Sequence, residues 1–192
     1  MSRLKGTKTE KNLLKAFAGE SQARNRYTFF ASVARNEGYV QIQRIFEETA
    51  ANEKEHAEVF FKYLEDGGLL EITAEYPAGR IGTTEENLLE AAEGEKLEWG
   101  TLYPDFEKTA REEGFHDIAE SFEEIAEVEE EHEKRYRKLL ENVKKGMVFK
   151  RDEEVEWHCL NCGYIHHGKE APDLCPACKH SKSYYELHIP NY

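Results

Sequence analysis

The 192-residue chain is poor in cysteine, in net positive charge and in long apolar runs. Its four cysteines all fall within residues 159–178. The start, Met1-Ser2-Arg3-Leu4-Lys5-Gly6, lacks the apolar stretch of a secretory signal. Cytoplasmic residence is therefore expected, with thiolates that hold a metal rather than disulfides. Acidic residues number 39 against 26 basic ones, and the net charge of −13 counts against nucleic acid as a partner. No apolar run reaches the about 18 residues of a membrane-spanning helix, so no membrane partner is expected. The length leaves room for one good core and a small module.

What the chain does have is a passage written twice. Residues 34–56 recur as 110–132, and each copy ends on Glu-x-x-His. Glu53 and His56 close the first copy, and Glu129 and His132 close the second. Upstream, Gly19-Glu20 is echoed by Gly94-Glu95. A duplicated helix pair, each half supplying a lone Glu and a Glu-x-x-His, is the sequence form of a two-metal carboxylate site inside a four-helix bundle.

Apolar spacing and punctuation predict the elements. Thr7-x-x-Glu10 reads as a capping box opening a helix that Gly38 ends. A second helix is expected from about Val40 to Glu65, stopped by Gly67-Gly68. Thr83-x-x-Glu86 opens a third that runs to Gly114, and a fourth spans about His116 to Lys145. Residues 68–83 have no convincing period and are long enough to cross the bundle, which gives a ferritin-like arrangement with one long crossover. From Glu154 the texture changes to short β-like pieces. The expected domains are a four-helix bundle over 1–147 and a small cysteine module over 148–192.

Helix geometry tests the metal-site reading. Counted from the turns at Gly38 and Gly114 at ~1.5 Å per residue, Glu20, Glu53, His56, Glu95, Glu98, Glu129 and His132 fall at one level, within roughly 8 Å along the axis. Residues three apart share a helix face, so Glu53/His56, Glu95/Glu98 and Glu129/His132 can each turn two groups inward. Inward carboxylates are costly in a core unless metals compensate them, and oxygen-rich ligation with a few imidazoles suits iron or manganese. A solvated Glu-rich face is the competing reading, and a repeated, level placement argues against it. Cys159-x-x-Cys162 and Cys175-x-x-Cys178 form two knuckles able to make a tetrahedral site, either a zinc ribbon or a rubredoxin-type iron.

The pattern Glu20, Glu53-x-x-His56, Glu95-x-x-Glu98, Glu129-x-x-His132, followed by four cysteines, resembles the rubrerythrin family over nearly the whole chain. The resemblance implies a mainly α fold, a ferritin-like di-iron bundle followed by a rubredoxin-like domain. It implies a non-haem di-iron peroxidase that reduces hydrogen peroxide to water and serves in oxidative-stress protection, its electrons arriving through a tetracysteine iron. By position, Glu20, Glu53, Glu95, Glu98, Glu129 and His132 would ligate the oxidised pair, and His56 would replace Glu98 on one iron after reduction. Ferric iron favours an anionic oxygen and ferrous iron accepts a neutral imidazole, so the exchange has a physical basis.

Tyr27 and Tyr103, seven and eight residues after Glu20 and Glu95, would donate hydrogen bonds to ligating carboxylates, although core aromatics look the same in sequence. Trp99 reads as packing, and His158, His166 and His167 as surface residues. Lys179 stands where rubredoxins carry glycine, in a position expected to be left-handed. An electron-donor protein or reductase is an expected partner. So is a second copy of the chain: the module follows a helix end about 20 Å from the metal level, which favours a head-to-tail homodimer. Iron storage and a metal-sensing scaffold are the competing functions.

Overall fold

The computed structural model describes residues 4–191. Helix α1 spans Lys8–Asn36, α2 Val40–Lys62, α3 Thr84–Leu97, α4 Tyr103–Glu112 and α5 His116–Lys144. At the start of α1 the Thr7 hydroxyl accepts the Glu10 N–H at 3.1 Å, while the Glu10 carboxylate takes the Gly6 N–H at 2.7 Å. At α3 the capping box is complete, with Thr83 and Glu86 each bonded to the other's backbone N–H. Both hairpin turns close alike. Gly38 and Gly114 take φ of +88° and +83°. Behind them the N–H of Tyr39 reaches Ala34 O and that of Phe115 reaches Ala110 O, each at 2.8 Å.

Residues 63–83 carry no regular element and form the long crossover. Two repeat-related glutamates each tie a helix start to a hairpin turn. Glu37 Oε2 accepts the Thr84 N–H at 3.1 Å, which seats the start of α3 at the α1–α2 turn. Glu113 accepts the N–H groups of Lys8 and Thr9 at 3.1 and 2.9 Å, which seats the start of α1 at the α4–α5 turn. A carboxylate at a helix N-terminus satisfies orphan donors and complements the helix dipole.

The core is split. One buried cluster holds Tyr27, Phe30, Ile42, Phe46, Leu88 and Tyr136. The other holds Leu13, Phe60, Tyr103, Phe122 and Ile118. The level of Glu20 and Glu95 lies between them, so the polar residues there are walled by apolar packing on both sides.

The third helix is not continuous. It gives way at Glu98–Leu102 to a π-helical turn before α4 resumes. Pro104 lies two residues past its end and has no N–H to return to the preceding turn, which loosens the ladder there. A π-turn takes up one surplus residue, and the surplus is visible as the spacing of eight between Glu95 and Tyr103 against seven between Glu20 and Tyr27. Helix α2 ends at Lys62, three residues before its expected end.

The tail is a three-stranded antiparallel sheet in the order β2-β1-β3, with β1 at Lys150–Cys159, β2 at Ile165–Glu170 and β3 at Tyr185–Leu187. Strand β1 starts four residues ahead of the expected change at Glu154. The small core packs Trp157, Ala171 and Tyr185 against Cys159 and Cys175. The module docks on the end of the bundle. Phe149 stacks on Tyr39 with ring centres 6.0 Å apart, and Arg44 donates to Leu160 O at 3.2 Å. Among the described residues, no helix is long and apolar enough to cross a membrane.

Candidate metal centre

Six of the seven level residues form two overlapping quartets. Glu20, Glu53, His56 and Glu129 make one, and Glu53, Glu95, Glu129 and His132 make the other, with one ligand-type atom from each residue within 4.8 Å of the others. Glu53 and Glu129 belong to both, so they stand where bridging ligands would. The repeat appears as near-symmetry: α1 and α2 supply Glu20, Glu53 and His56, and α3 and α5 supply Glu95, Glu129 and His132. Glu20, Glu53, Glu95 and Glu129 are fully buried.

These side chains meet without pairing properly. His56 Nδ1 lies 2.8 Å from Glu129 Oε1, and His132 Nδ1 lies 2.7 Å from Glu129 Oε2. Yet neither Nδ1, nor any carboxylate oxygen of Glu53 or Glu129, has a hydrogen bond of acceptable angle. A buried polar atom left without a partner costs about 1–3 kcal/mol, more when charged. Six such atoms gathered within two quartets are what ligation of two cations would resolve, and the oxygen-and-imidazole donor set suits iron.

The electrostatics agree. Burial, reinforced by the charges of Glu53 and Glu129, pushes the carboxyls of Glu20 and Glu95 well above their usual range. Burial alone would raise Glu53 too, but His132 and His56 override it and hold Glu53 at about 2. Burial likewise opposes charge on the imidazoles, and the carboxylates of Glu129 and Glu53 prevail, lifting His56 to about 10 and His132 to about 9.

The tyrosines cross over. Tyr27 on α1 donates to Glu95 Oε1 at 2.6 Å, and Tyr103 on α4 donates to Glu20 Oε1, so each half's tyrosine orients the other half's glutamate. Both rings are buried. Glu98 is the residue the structure does not bring in. It is half-buried, belongs to neither quartet, and faces a cavity of about 380 Å³ beside the site. Burial and the Glu129 and Glu53 charges push it well above the usual carboxylate range, against the pull of Arg26.

Trp99, expected only to pack, donates its Nε1–H to Glu133 Oε2 at 2.7 Å, and Arg137 holds the same carboxylate at 2.5 Å. Glu133 adjoins His132, and sequence reasoning does not reach it. Only its place one residue past a repeated histidine could have pointed to it.

In the tail, Cys159 Sγ lies 3.8 Å from Cys178 Sγ, and Cys162 Sγ lies 3.7 Å from Cys175 Sγ. A tetrahedron of thiolates about 2.3 Å from a central metal has edges of about 3.8 Å, so the four sulfurs already have the spacing of a metal site. A backbone N–H of His180 draws the Cys178 thiol down to about 6, towards the thiolate a metal needs. The knuckles match: the N–H of Gly163 reaches Cys159 O at 2.8 Å and that of Lys179 reaches Cys175 O at 2.9 Å. Gly163 has φ of +80°, and Lys179, at +62°, is the one left-handed non-glycine among the described residues. His158 is paired with Glu186 at 3.3 Å, and none of the tail histidines joins the cysteine cluster.

Residues 11–140 match the rubrerythrin family, and residues 157–186 match the rubrerythrin rubredoxin-like domain. The chain belongs to the rubrerythrin family. It is 61% identical to a rubrerythrin of Porphyromonas gingivalis over 98% of this chain and 94% of the relative. It is 54% identical to a rubrerythrin of Nitratidesulfovibrio vulgaris over 97% of each. Among solved structures, the fully reduced, all-ferrous state of nigerythrin matches with a TM-score of 0.64 at 31% identity, covering 98% of this chain and 94% of that one. The rubrerythrin-family chain thus carries a di-iron carboxylate site in a ferritin-like bundle and a rubredoxin-like tetracysteine site in its tail.

Proposed function

We propose that the chain is a non-haem di-iron peroxidase that reduces hydrogen peroxide to water, with electrons delivered through the tetracysteine site. The observation that carries this reading is the pair of shared glutamates, Glu53 and Glu129, with one terminal Glu and one His on either side, in a chain that also carries four convergent thiolates. When bound, an iron pair supplies the redox equivalents that cleavage of an O–O bond requires. Glu20, Glu53, Glu95, Glu129 and His132 would hold the pair, with His56 or Glu98 completing one side. His56 stands in the first quartet and Glu98 faces the cavity, so an anionic oxygen for ferric iron and a neutral imidazole for ferrous iron are both within the site's reach. Cys159, Cys162, Cys175 and Cys178 would hold the single iron.

The remaining parts of the reading fall to the chain's own groups. Tyr27 and Tyr103 fix the orientation of Glu95 and Glu20 by hydrogen bonds, as outer partners of ligands commonly do. The carboxyl of Glu98, outside both quartets and held above its usual range, can keep a proton beside the site, and reducing one peroxide to two waters consumes two protons with two electrons. The aromatic clusters on either side keep bulk water from the level of the site.

The bundle unit is taken as 1–147 and the module as 148–192. The module docks at the α1–α2 turn, and Glu53 lies thirteen residues along α2 from Val40, about 20 Å away along the helix. A head-to-tail homodimer would shorten that path by laying one protomer's module beside the other's bundle. A donor protein or reductase would feed the module, in a reducing cytoplasm that keeps the thiols free. Iron storage leaves the module and Glu98 without a role. The test is anaerobic mixing of the fully reduced, iron-loaded protein with hydrogen peroxide. Oxidation of one iron pair per peroxide, far faster than for free ferrous ion, is expected, and oxidation at the rate of the free ion would refute the proposal.

A further inference from the structure

The cavity of about 380 Å³ beside the site is larger than its assigned oxidant requires. At ~30 Å³ per water it has room for on the order of ten waters, whereas hydrogen peroxide is about the size of two. Its wall is also two-sided. Arg26, Gln22 and Glu98 form a polar edge where the cavity meets Tyr103, the donor to Glu20. Ala16, Leu97, Leu102 and Phe106 form an apolar wall. The crossover supplies the roof with Tyr76 and Pro77, and the Tyr76 hydroxyl is tied to Lys15 O at 3.0 Å. Arg26 brings a buried Nε–H that has no hydrogen-bond partner, so a donor is left over at the polar edge.

We propose that this cavity admits organic hydroperoxides, so that the site reduces ROOH as well as hydrogen peroxide. The hydroperoxy group would lie at the Arg26–Glu98 edge and the alkyl or aryl group against Leu97, Leu102 and Phe106. A binding site of this kind combines apolar walls with a few convergent polar groups, and this cavity falls within the usual ligand-pocket range of about 300–1,000 Å³. The O–O bond breaks, two electrons come from the reductant that feeds the tetracysteine site, two protons come from solvent through the polar edge, and ROH and water leave. The inference rests on the peroxidase reading above.

Leu97 is half-exposed at the rim, so a larger side chain there can fill the cavity without disturbing the core. The reduced, iron-loaded protein is mixed rapidly with tert-butyl hydroperoxide and, separately, with hydrogen peroxide, for the parent chain and for Leu97→Trp. Both oxidants should react with the parent, and Leu97→Trp should lower the ratio of the tert-butyl rate to the peroxide rate by about tenfold or more, the scale on which pocket contacts discriminate substrates. Crystals of the oxidised holoprotein soaked in cumyl alcohol should show the alcohol against Leu97, Leu102 and Phe106. If hydrogen peroxide oxidises the parent and tert-butyl hydroperoxide does not, this inference falls and the peroxidase reading stands. If neither does, both fall. A ratio unchanged by Leu97→Trp, or a cavity without alcohol density, also overturns it.

Discussion

Loading the bundle with metal should expel protons, and their number follows from the site. Four of the quartet residues hold protons more tightly than usual: Glu20 and Glu95 because they are buried beside other carboxylates, and His56 and His132 because Glu129 and Glu53 surround them. Raising an imidazole from 6.5 to about 10 or about 9 corresponds to about 5 or 3 kcal/mol held against metal binding. Ligands must be deprotonated, so uptake of two ferrous ions at pH 7 should release about four protons per chain, and the logarithm of the overall binding constant should rise with pH at a slope of about four. The assay is anaerobic titration calorimetry in buffers of different ionisation enthalpy, with the tetracysteine site already filled. Release of fewer than two protons would refute the reasoning.

The same groups set how stability depends on pH. The folded imidazoles bind protons more tightly than unfolded ones, so their contribution is complete below pH 6.5 and is lost as pH rises through about 9 and 10. Glu20 and Glu95 act in the same direction, contributing below 4.5 and losing that contribution as pH climbs past their raised values. Glu53, held at about 2, contributes above 4.5 and loses its share as pH falls towards 2. The metal-free protein should therefore weaken towards alkaline pH, and the loaded protein should not.

Three further substitutions test other parts of the architecture. Tyr27→Phe removes a buried hydrogen bond to a carboxylate, worth about 1.5–3 kcal/mol. The thermal midpoint of the loaded protein should fall by roughly 3–12 °C, and a fall below about one degree would show that Glu95 does not depend on the hydroxyl. Cys178→Ser should remove one metal per chain by elemental analysis while the bundle keeps two, and loss of all three would mean that the sites are not independent. Lys179→Gly relieves the left-handed backbone at φ +62° and should stabilise the module by about 1 kcal/mol in denaturant titration. An unchanged midpoint would place the strain elsewhere.

Much of this architecture is legible in the residues. The duplicated Glu-x-x-His, the glycines at the two hairpin turns and the Thr-x-x-Glu at α3 each depend on neighbours within one or two helical turns, and so do the paired cysteine knuckles. What escaped depends on partners far apart in the chain. Tyr76 comes from a stretch without any period, and only folding carries it to Lys15 and the cavity. Trp99 meets Glu133 across a helix interface, and no local pattern marks that contact. The π-turn is an intermediate case. Its surplus residue is written in the spacing of eight after Glu95, but a helical repeat count passes over a single extra residue.

That surplus residue also bears on why a near-symmetric site has one odd member. Counting four residues on from Gly19 and Gly94, the position of Glu98 corresponds to Ala23, which is buried in the core cluster. On the Ala23 side the helix stays regular, and the small side chain is sealed by packing. On the Glu98 side the backbone widens into the π-turn at that residue. π-Bulges are frequent at functional sites, and the extra residue turns the side chains there to new directions. Here the re-aimed side chain is a carboxylate placed between the first quartet and a cavity lined by Arg26. The asymmetry of the centre thus lies at Glu98 and the π-turn that carries it, while the six quartet residues sit on regular helices and Glu20 and Glu95 keep their tyrosine donors.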